Sequence, residues 1–108
     1  MTNEELNNLM SVEIMGIKVG RIPYDVFENG VFITEAIKIV KAKNYSGDMN
    51  LAMECADTVE HDEINFIKII SSSGDKFMAY FIQGKNVFSA GGKTRTEALC
   101  KAIAKAIK

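Results

Sequence analysis

Residues 94–108 constrain this chain more than any other stretch. Thr94 and Glu97 stand three apart in a capping box, the pattern in which a hydroxyl and a carboxylate each satisfy a free backbone N–H at a helix start. Behind them Leu99, Ala102, Ile103, Ala106 and Ile107 recur at helical spacing, so one apolar stripe has to be covered by another element. Glu97 precedes Lys101 by four residues, the orientation that adds about 0.2–0.5 kcal/mol to a helix. An inner face so rich in alanine allows close approach to a sheet, and a sheet with one apolar face needs such a cover.

The rest of the chain supplies strands. A second capping box, Thr2 and Glu5, opens a short helix whose inner face is Leu6, Leu9 and Met10, and Gly16 ends it. Ile17 to Tyr24 is strand-like, with Pro23 marking an edge because it has no N–H for a ladder. Asp25 to Gly30 is expected to turn, and a second helix is expected over Thr34–Asn44, with Ile33, Ala36, Ile37 and Val40 inward. In Met49–Cys55 the residues Met49, Leu51, Met53 and Cys55 alternate, which predicts a half-buried strand. Ile64–Ile70 is a denser apolar run, expected to be central. A loop over Ser71–Asp75 returns the chain through Lys76–Gln83, and Gly84-Lys85-Asn86 turns it into Val87–Ala90. The predicted fold is α+β, an α/β sandwich of a mainly antiparallel sheet of about five strands packed with three helices. Its order is α-β-α-β-β-β-β-α, with a four-strand meander before the last helix. At 108 residues this is one domain over 1–108, long enough to bury a core without metal or disulfide.

Composition excludes several function classes. With 47% apolar and 25% charged residues, the chain is neither a disordered tail nor a fibrous protein. Thirteen basic against fourteen acidic residues leave no net field toward nucleic acid or membrane. The charge is nevertheless uneven. Glu54–Glu63 holds five acids and no base, while the last helix carries Lys93, Arg95, Lys101, Lys105 and Lys108 against Glu97. These are either solvated surfaces or complementary patches for a host protein or a homo-oligomer. Cys55 and Cys100, without C-x-x-C spacing or a secretory leader, are expected to be reduced core thiols of a cytoplasmic protein. No apolar run approaches the roughly 20 residues that span a bilayer.

Catalytic constellations are thin. His61 is the sole histidine, in an acidic stretch expected to form an exposed loop, and no ligand spacing around it indicates a metal site. No nucleophile has a histidine partner, so no enzyme, no catalytic residue and no cofactor is expected. The segment with a physical mechanism is Ser89-Ala90-Gly91-Gly92-Lys93-Thr94-Arg95-Thr96, between the last strand and the last helix. A helix start carries unpaired N–H groups and about half a positive charge, favouring anions by about 0.3–1 kcal/mol. Gly91 and Gly92 would let a phosphate approach the backbone, while Ser89, Lys93, Thr94, Arg95 and Thr96 add donors. The competing reading is a plain strand-to-helix turn with Thr94 as cap. Phe27 and Phe32 bracket a short Glu-Asn-Gly segment and are either core residues or platforms on which a base could stack. Met49, Met53 and Met78 are expected to be adaptable core filler.

Three stretches resemble the phage ABA sandwich domain family. They are Leu6-Asn7-Asn8-Leu9-Met10 leading to Ile14-Met15-Gly16-Ile17-Lys18-Val19, the run Thr34–Val40, and Thr94–Ile103 with its Thr-x-x-x-Ala-Leu-Cys-x-Ala pattern. The resemblance implies an α/β sandwich of phage origin, and with it a non-enzymatic accessory protein acting in the host cytoplasm. The expected role is counter-defence, by sequestering a phosphate-bearing nucleotide immune signal at Gly91–Thr96 with Phe27 or Phe32 against the base. Two alternatives stand beside it: an inhibitor that binds a host protein through Glu54–Glu63, and an RNA-binding module. The last rests on the similarity of Gly91–Ala98 and Ala102–Ala106 to the final helix of double-stranded-RNA-binding domains.

Overall fold

The computed structural model describes residues 1–71 and 74–107, and their side chains except at 25, 26, 28, 32–36, 71 and 75. Thr2 opens the first helix, α1 (Asn3–Leu9). Its hydroxyl accepts the Glu5 N–H at 3.2 Å and the Glu5 carboxylate accepts the Thr2 N–H at 3.4 Å, so both halves of the capping box form. The helix widens into a π-type turn over Met10–Ile14 and stops at Gly16, whose φ of +66° is the left-handed cap that glycine takes without strain. Leu6 and Met10 are fully buried, as their spacing requires.

The next two elements reverse an expectation. The chain continues as a hairpin, β1 (Gly20–Glu28) and β2 (Val31–Val40), where a turn and a helix over Thr34–Asn44 were expected. Asn29 and Gly30, at φ +52° and +75°, are the two central residues of the turn. Positive φ at both positions matches the right-handed twist of the strands, and asparagine followed by glycine is the pair that tolerates it. The β-branched residues Thr34, Ile37, Ile39 and Val40 then fit a pleated strand better than a helix. Of the stripe expected to point inward, Ile37 is 51% exposed and Val40 half-buried, and the side chains of Ile33 and Ala36 lie outside the described residues. Pro23 sits within β1, opposite Ile37, and a bulge falls between Tyr24 and Val26.

The segment expected as a strand is instead the second helix, α2 (Met49–Thr58). Asp48 caps it, accepting N–H groups from Asn50 at 2.9 Å and Leu51 at 3.3 Å. Ala52, Cys55 and Ala56 are its buried face, an i, i+3, i+4 set that the alternation of Met49, Leu51 and Met53 had masked. Cys55 therefore lies in a helix, not a strand.

The meander has three strands rather than four: β3 (Glu63–Ser71), β4 (Gly74–Gln83) and β5 (Asn86–Gly92), in spatial order β3-β4-β5. The five antiparallel strands thus form two sheets of two and three, with three α-helices, and the α+β class stands. The last helix, α3 (Arg95–Ala106), lies across β4 and β5, and both α1 and α2 lean on it. The core forms where they meet, from Ala79, Phe81 and Ala90 of the sheet, Leu99, Ala102 and Ile103 of α3, and Leu6, Met10, Tyr45 and Ala52. Burying Phe81 alone contributes about 1.5–3 kcal/mol. Met49 and Met53 pack at its margin, as filler.

The helices cover one face of the three-stranded sheet. On the other, Ile67, Ile69 and Val87 are 50%, 42% and 59% exposed. The β1–β2 hairpin belongs to neither layer and projects as an arm. The molecule extends 63 × 33 × 21 Å with a radius of gyration of 17.7 Å, where a compact chain of this length has about 13 Å. Among the described residues, no helix is long and apolar enough to cross a membrane.

Candidate functional site

β5 runs to Gly92, so the two glycines belong to the strand and not to a turn after it. Gly92 is buried under the first turn of α3. A Cβ placed there would stand 2.9 Å from the Ala98 amide nitrogen and 3.1 Å from the Glu97 Cβ, so only glycine lets the helix close on the strand. Gly91 faces the opposite way, toward the Lys76 side chain and the Met78 sulfur.

The helix start is satisfied from within. Thr94 Oγ1 accepts the Glu97 N–H at 3.1 Å. The Glu97 carboxylate accepts Lys101 Nζ at 2.9 Å, and the Lys93 backbone N–H and the Asn3 side chain are near enough to favour its charged form. These partners, the Lys101 hydrogen bond foremost, hold Glu97 below the usual carboxylate range against the opposing effect of its burial. The expected box at Thr94 is thus half formed, with the hydroxyl bond present. A carboxylate beside the positive pole competes with a bound anion for it.

The other proposed donors divide. Lys93, Thr94 and Arg95 are exposed and Thr96 is half-buried. Arg95 places its guanidinium 5.7 Å from the centre of the Phe77 ring, within cation–π range. The Ser89 contribution is its carbonyl, which accepts Lys105 Nζ at 2.7 Å. Phe27 is 65% exposed near the tip of the arm, about 23 Å along β1 from its root at Gly20, and does not join this turn. The Phe32 side chain lies outside the described residues, although its backbone pairs with Phe27 across the hairpin.

Alongside the C-terminal half of α3 is a hollow of about 360 Å³, lined by Met1, Leu6, Ala90, Gly91, Lys101, Ala104 and Lys105. Lys101 and Lys105 stand one turn apart on α3 in that lining. The signal for them is the Lys101–Lys105 spacing of four; from the sequence, Lys101 reads as a helix-supporting partner of Glu97 and Lys105 as part of the basic surface of the last helix.

Elsewhere the chemistry is structural. His61 is partly buried rather than free in an exposed loop. Its ring stacks obliquely on Phe81 with centroids 5.1 Å apart, and its Nε2 lies 3.8 Å from Asp57 Oδ1. Among the described residues no group of three His, Cys, Asp or Glu side chains is placed to hold a metal. Cys55 and Cys100 are buried and unpaired, their thiols pushed up by burial to about 11 and about 12, which leaves both unreactive at neutral pH. Tyr45 is fully buried, and its carbonyl accepts the Cys100 thiol at 3.3 Å.

No curated protein matches the chain. A 2.0 Å crystal structure of a phage protein from Bacillus cereus ATCC 14579 is similar in fold, with a TM-score of 0.64 over 96% of this chain and 91% of the other, at 18% identity. Residues 8–103 match the phage ABA sandwich domain model, a span that runs from the end of α1 through the projecting hairpin, α2, the meander and most of α3, and on that match the chain belongs to the phage ABA sandwich domain family.

Proposed function

We propose that this phage protein is a non-enzymatic accessory binding protein that acts in the host cytoplasm and sequesters a small phosphate-bearing nucleotide, an immune signal of the host. The observation that carries the reading is the hollow between α1, β5 and α3. Its volume of about 360 Å³ falls at the lower end of small-molecule sites, about 300–1,000 Å³. Its lining combines apolar Met1, Leu6 and Ala104 with the Lys101 and Lys105 ammoniums. Lys105 bonds a neutral carbonyl. A phosphate oxygen would replace that neutral acceptor with an anionic one, adding ion-pair attraction to the ammonium's hydrogen bond. The ligand's anion is therefore assigned to the hollow along α3, not to the helix start.

Calorimetry with ADP-ribose-type and cyclic nucleotides tests the reading. Binding is expected, with Lys105→Ala weakening it by about 1.5–3 kcal/mol, the contribution of a charged hydrogen bond. Lys93→Ala and Arg95→Ala should have small effects. A flat response to the whole panel removes the proposal.

A second reading has its own observation. Glu54, Asp57, Glu60, Asp62 and Glu63 are all exposed along the end of α2 and the segment after it, a surface suited to a basic host protein. Capture of such a protein, lost on charge reversal at Glu60 and Glu63, would favour it. The RNA alternative draws less support, because α2 brings Glu54 and Asp57 to the same body as the basic end of α3.

A further inference from the structure

The β1–β2 arm is an isolated two-stranded hairpin, which in water is marginal without something to pack on. Exposed apolar side chains lie on both of its faces: Ile37 and Ile39, 51% and 73% accessible, share the face of Pro23, and Tyr24, 42% accessible, lies on the opposite one beside Lys38. We propose that the arm of one copy lies on the bare face of the β3–β4–β5 sheet of a second copy, and that the exchange is reciprocal, giving a two-fold dimer. The proposal concerns surfaces apart from the nucleotide hollow and is independent of the ligand reading.

Four observations converge on a second copy as the occupant. The chain exposes apolar side chains on two surfaces, Ile37 and Ile39 on the arm and Ile67, Ile69 and Val87 on the sheet face, and each offers the other an apolar cover. Their lengths match, since the arm strands have 9 and 10 residues and so do β3 and β4. Charge fits as well. Arg21 pairs with Ile39 on the arm face that carries Pro23 and Ile37, while Glu63 sits at one end of the sheet face and Lys76 toward the other, so Arg21 sets the direction of docking. The area is sufficient. Two strands about 4.8 Å apart and about 30 Å long have a footprint of about 300 Å². Counted on both surfaces and for both reciprocal contacts, this comes to about 1,200 Å², the lower bound for a stable specific interface. A reciprocal exchange is also the isologous arrangement that closes at two chains.

Light scattering coupled to gel filtration on the full chain provides the test. The expected mass is twice the 11.9 kDa of one chain. Ile37→Glu on the arm and Val87→Glu on the sheet should each yield a monomer with an unchanged far-ultraviolet spectrum, since both positions are exposed. A monomeric parent protein, an assembly larger than two, or a dimer that survives either substitution overturns the proposal. Crosslinking covers the case in which a variant fails to fold. Chains carrying Ile37→Cys, mixed with chains carrying Val87→Cys, should join through a short bismaleimide, the native cysteines being buried. No mixed product, or Ile37→Cys chains joined only to each other, would also refute it.

Discussion

Replacing Gly92 with alanine separates a packing role for the two strand glycines from a ligand-binding one. An alanine in an ordinary strand conformation restricts the unfolded chain and stabilises a protein by about 0.4–1 kcal/mol. Neither Gly91 nor Gly92 has a positive φ, so both would show that gain if space allowed. At Gly92 it does not. The new methyl carbon would lie 2.9 Å from the Ala98 amide nitrogen, a backbone atom inside α3, and 3.1 Å from the Glu97 Cβ. The helix has to shift, and overpacking of this kind costs about 1–3 kcal/mol. The net expectation is a loss of about 1–2 kcal/mol, with a fall of about 4–8 °C in melting temperature per kcal/mol for a domain near this size. At Gly91 the obstructing atoms are the end of the Lys76 side chain and the Met78 sulfur, both free to swing aside. Gly91→Ala should therefore be neutral or slightly stabilising. Thermal melts by circular dichroism measure both. Equal effects at the two positions, or no loss at Gly92, would show that α3 does not close on β5 as described.

Two further outcomes follow from the ionisable groups. Glu97 has a folded-state pKa below its unfolded value, so its stabilisation is complete above about pH 4.3, the unfolded glutamate value, and is lost as pH falls through the lower folded value. The melting-temperature advantage of the parent protein over Glu97→Gln should accordingly vanish in acid, and an advantage that persists at pH 2 would contradict the assigned partners. Cys55 and Cys100, buried with thiols raised to about 11 and about 12, should resist a thiol reagent at pH 8 and both react in guanidinium. Rapid labelling of the native protein would place at least one of them at the surface.

The ends of the chain were legible because their signals agree at several levels. Thr2 with Glu5, and Thr94 ahead of the Leu99–Ile103 stripe, combine a cap with a helical period, and α1 and α3 form where those patterns stand. Gly84 at φ +58° likewise makes the tight turn between β4 and β5 where the glycine indicated one. In the middle, two patterns overlap. Ile33, Ala36, Ile37 and Val40 are spaced as a helix face, but Ile37 is exposed on the arm, so spacing says little about it. The decisive signals there were local: Asn29-Gly30 as a hairpin turn and a run of β-branched residues. In α2 the reverse holds. Met49, Leu51, Met53 and Cys55 alternate as a strand would, yet Ala52 and Ala56 are apolar too, and alanine, methionine and leucine are strong helix formers. Asp48 settles the matter as a cap, a role that period counting cannot detect.

The candidate site was half legible for a related reason. A capping pattern and an anion site at a helix start compete for the same N–H groups. Thr94 followed three residues later by Glu97 is thus an argument that one of those N–H groups is already taken, and Thr94 Oγ1 takes that of Glu97. The basic character of the region survives that loss because it comes from side chains further along α3, not from the dipole. Lys101 is drawn toward Glu97 and Lys105 toward the Ser89 carbonyl, and both ammoniums are thereby held at the rim of one hollow instead of spreading into solvent. Only the packing of α3 against β5 brings the strand carbonyl within 2.7 Å of a residue sixteen positions away, and that packing depends on Gly92 having no side chain. The glycine singled out as a phosphate cradle therefore bears on the site through the helix it admits, which is why its substitution should disturb stability and ligand binding together while Lys105→Ala should disturb binding alone.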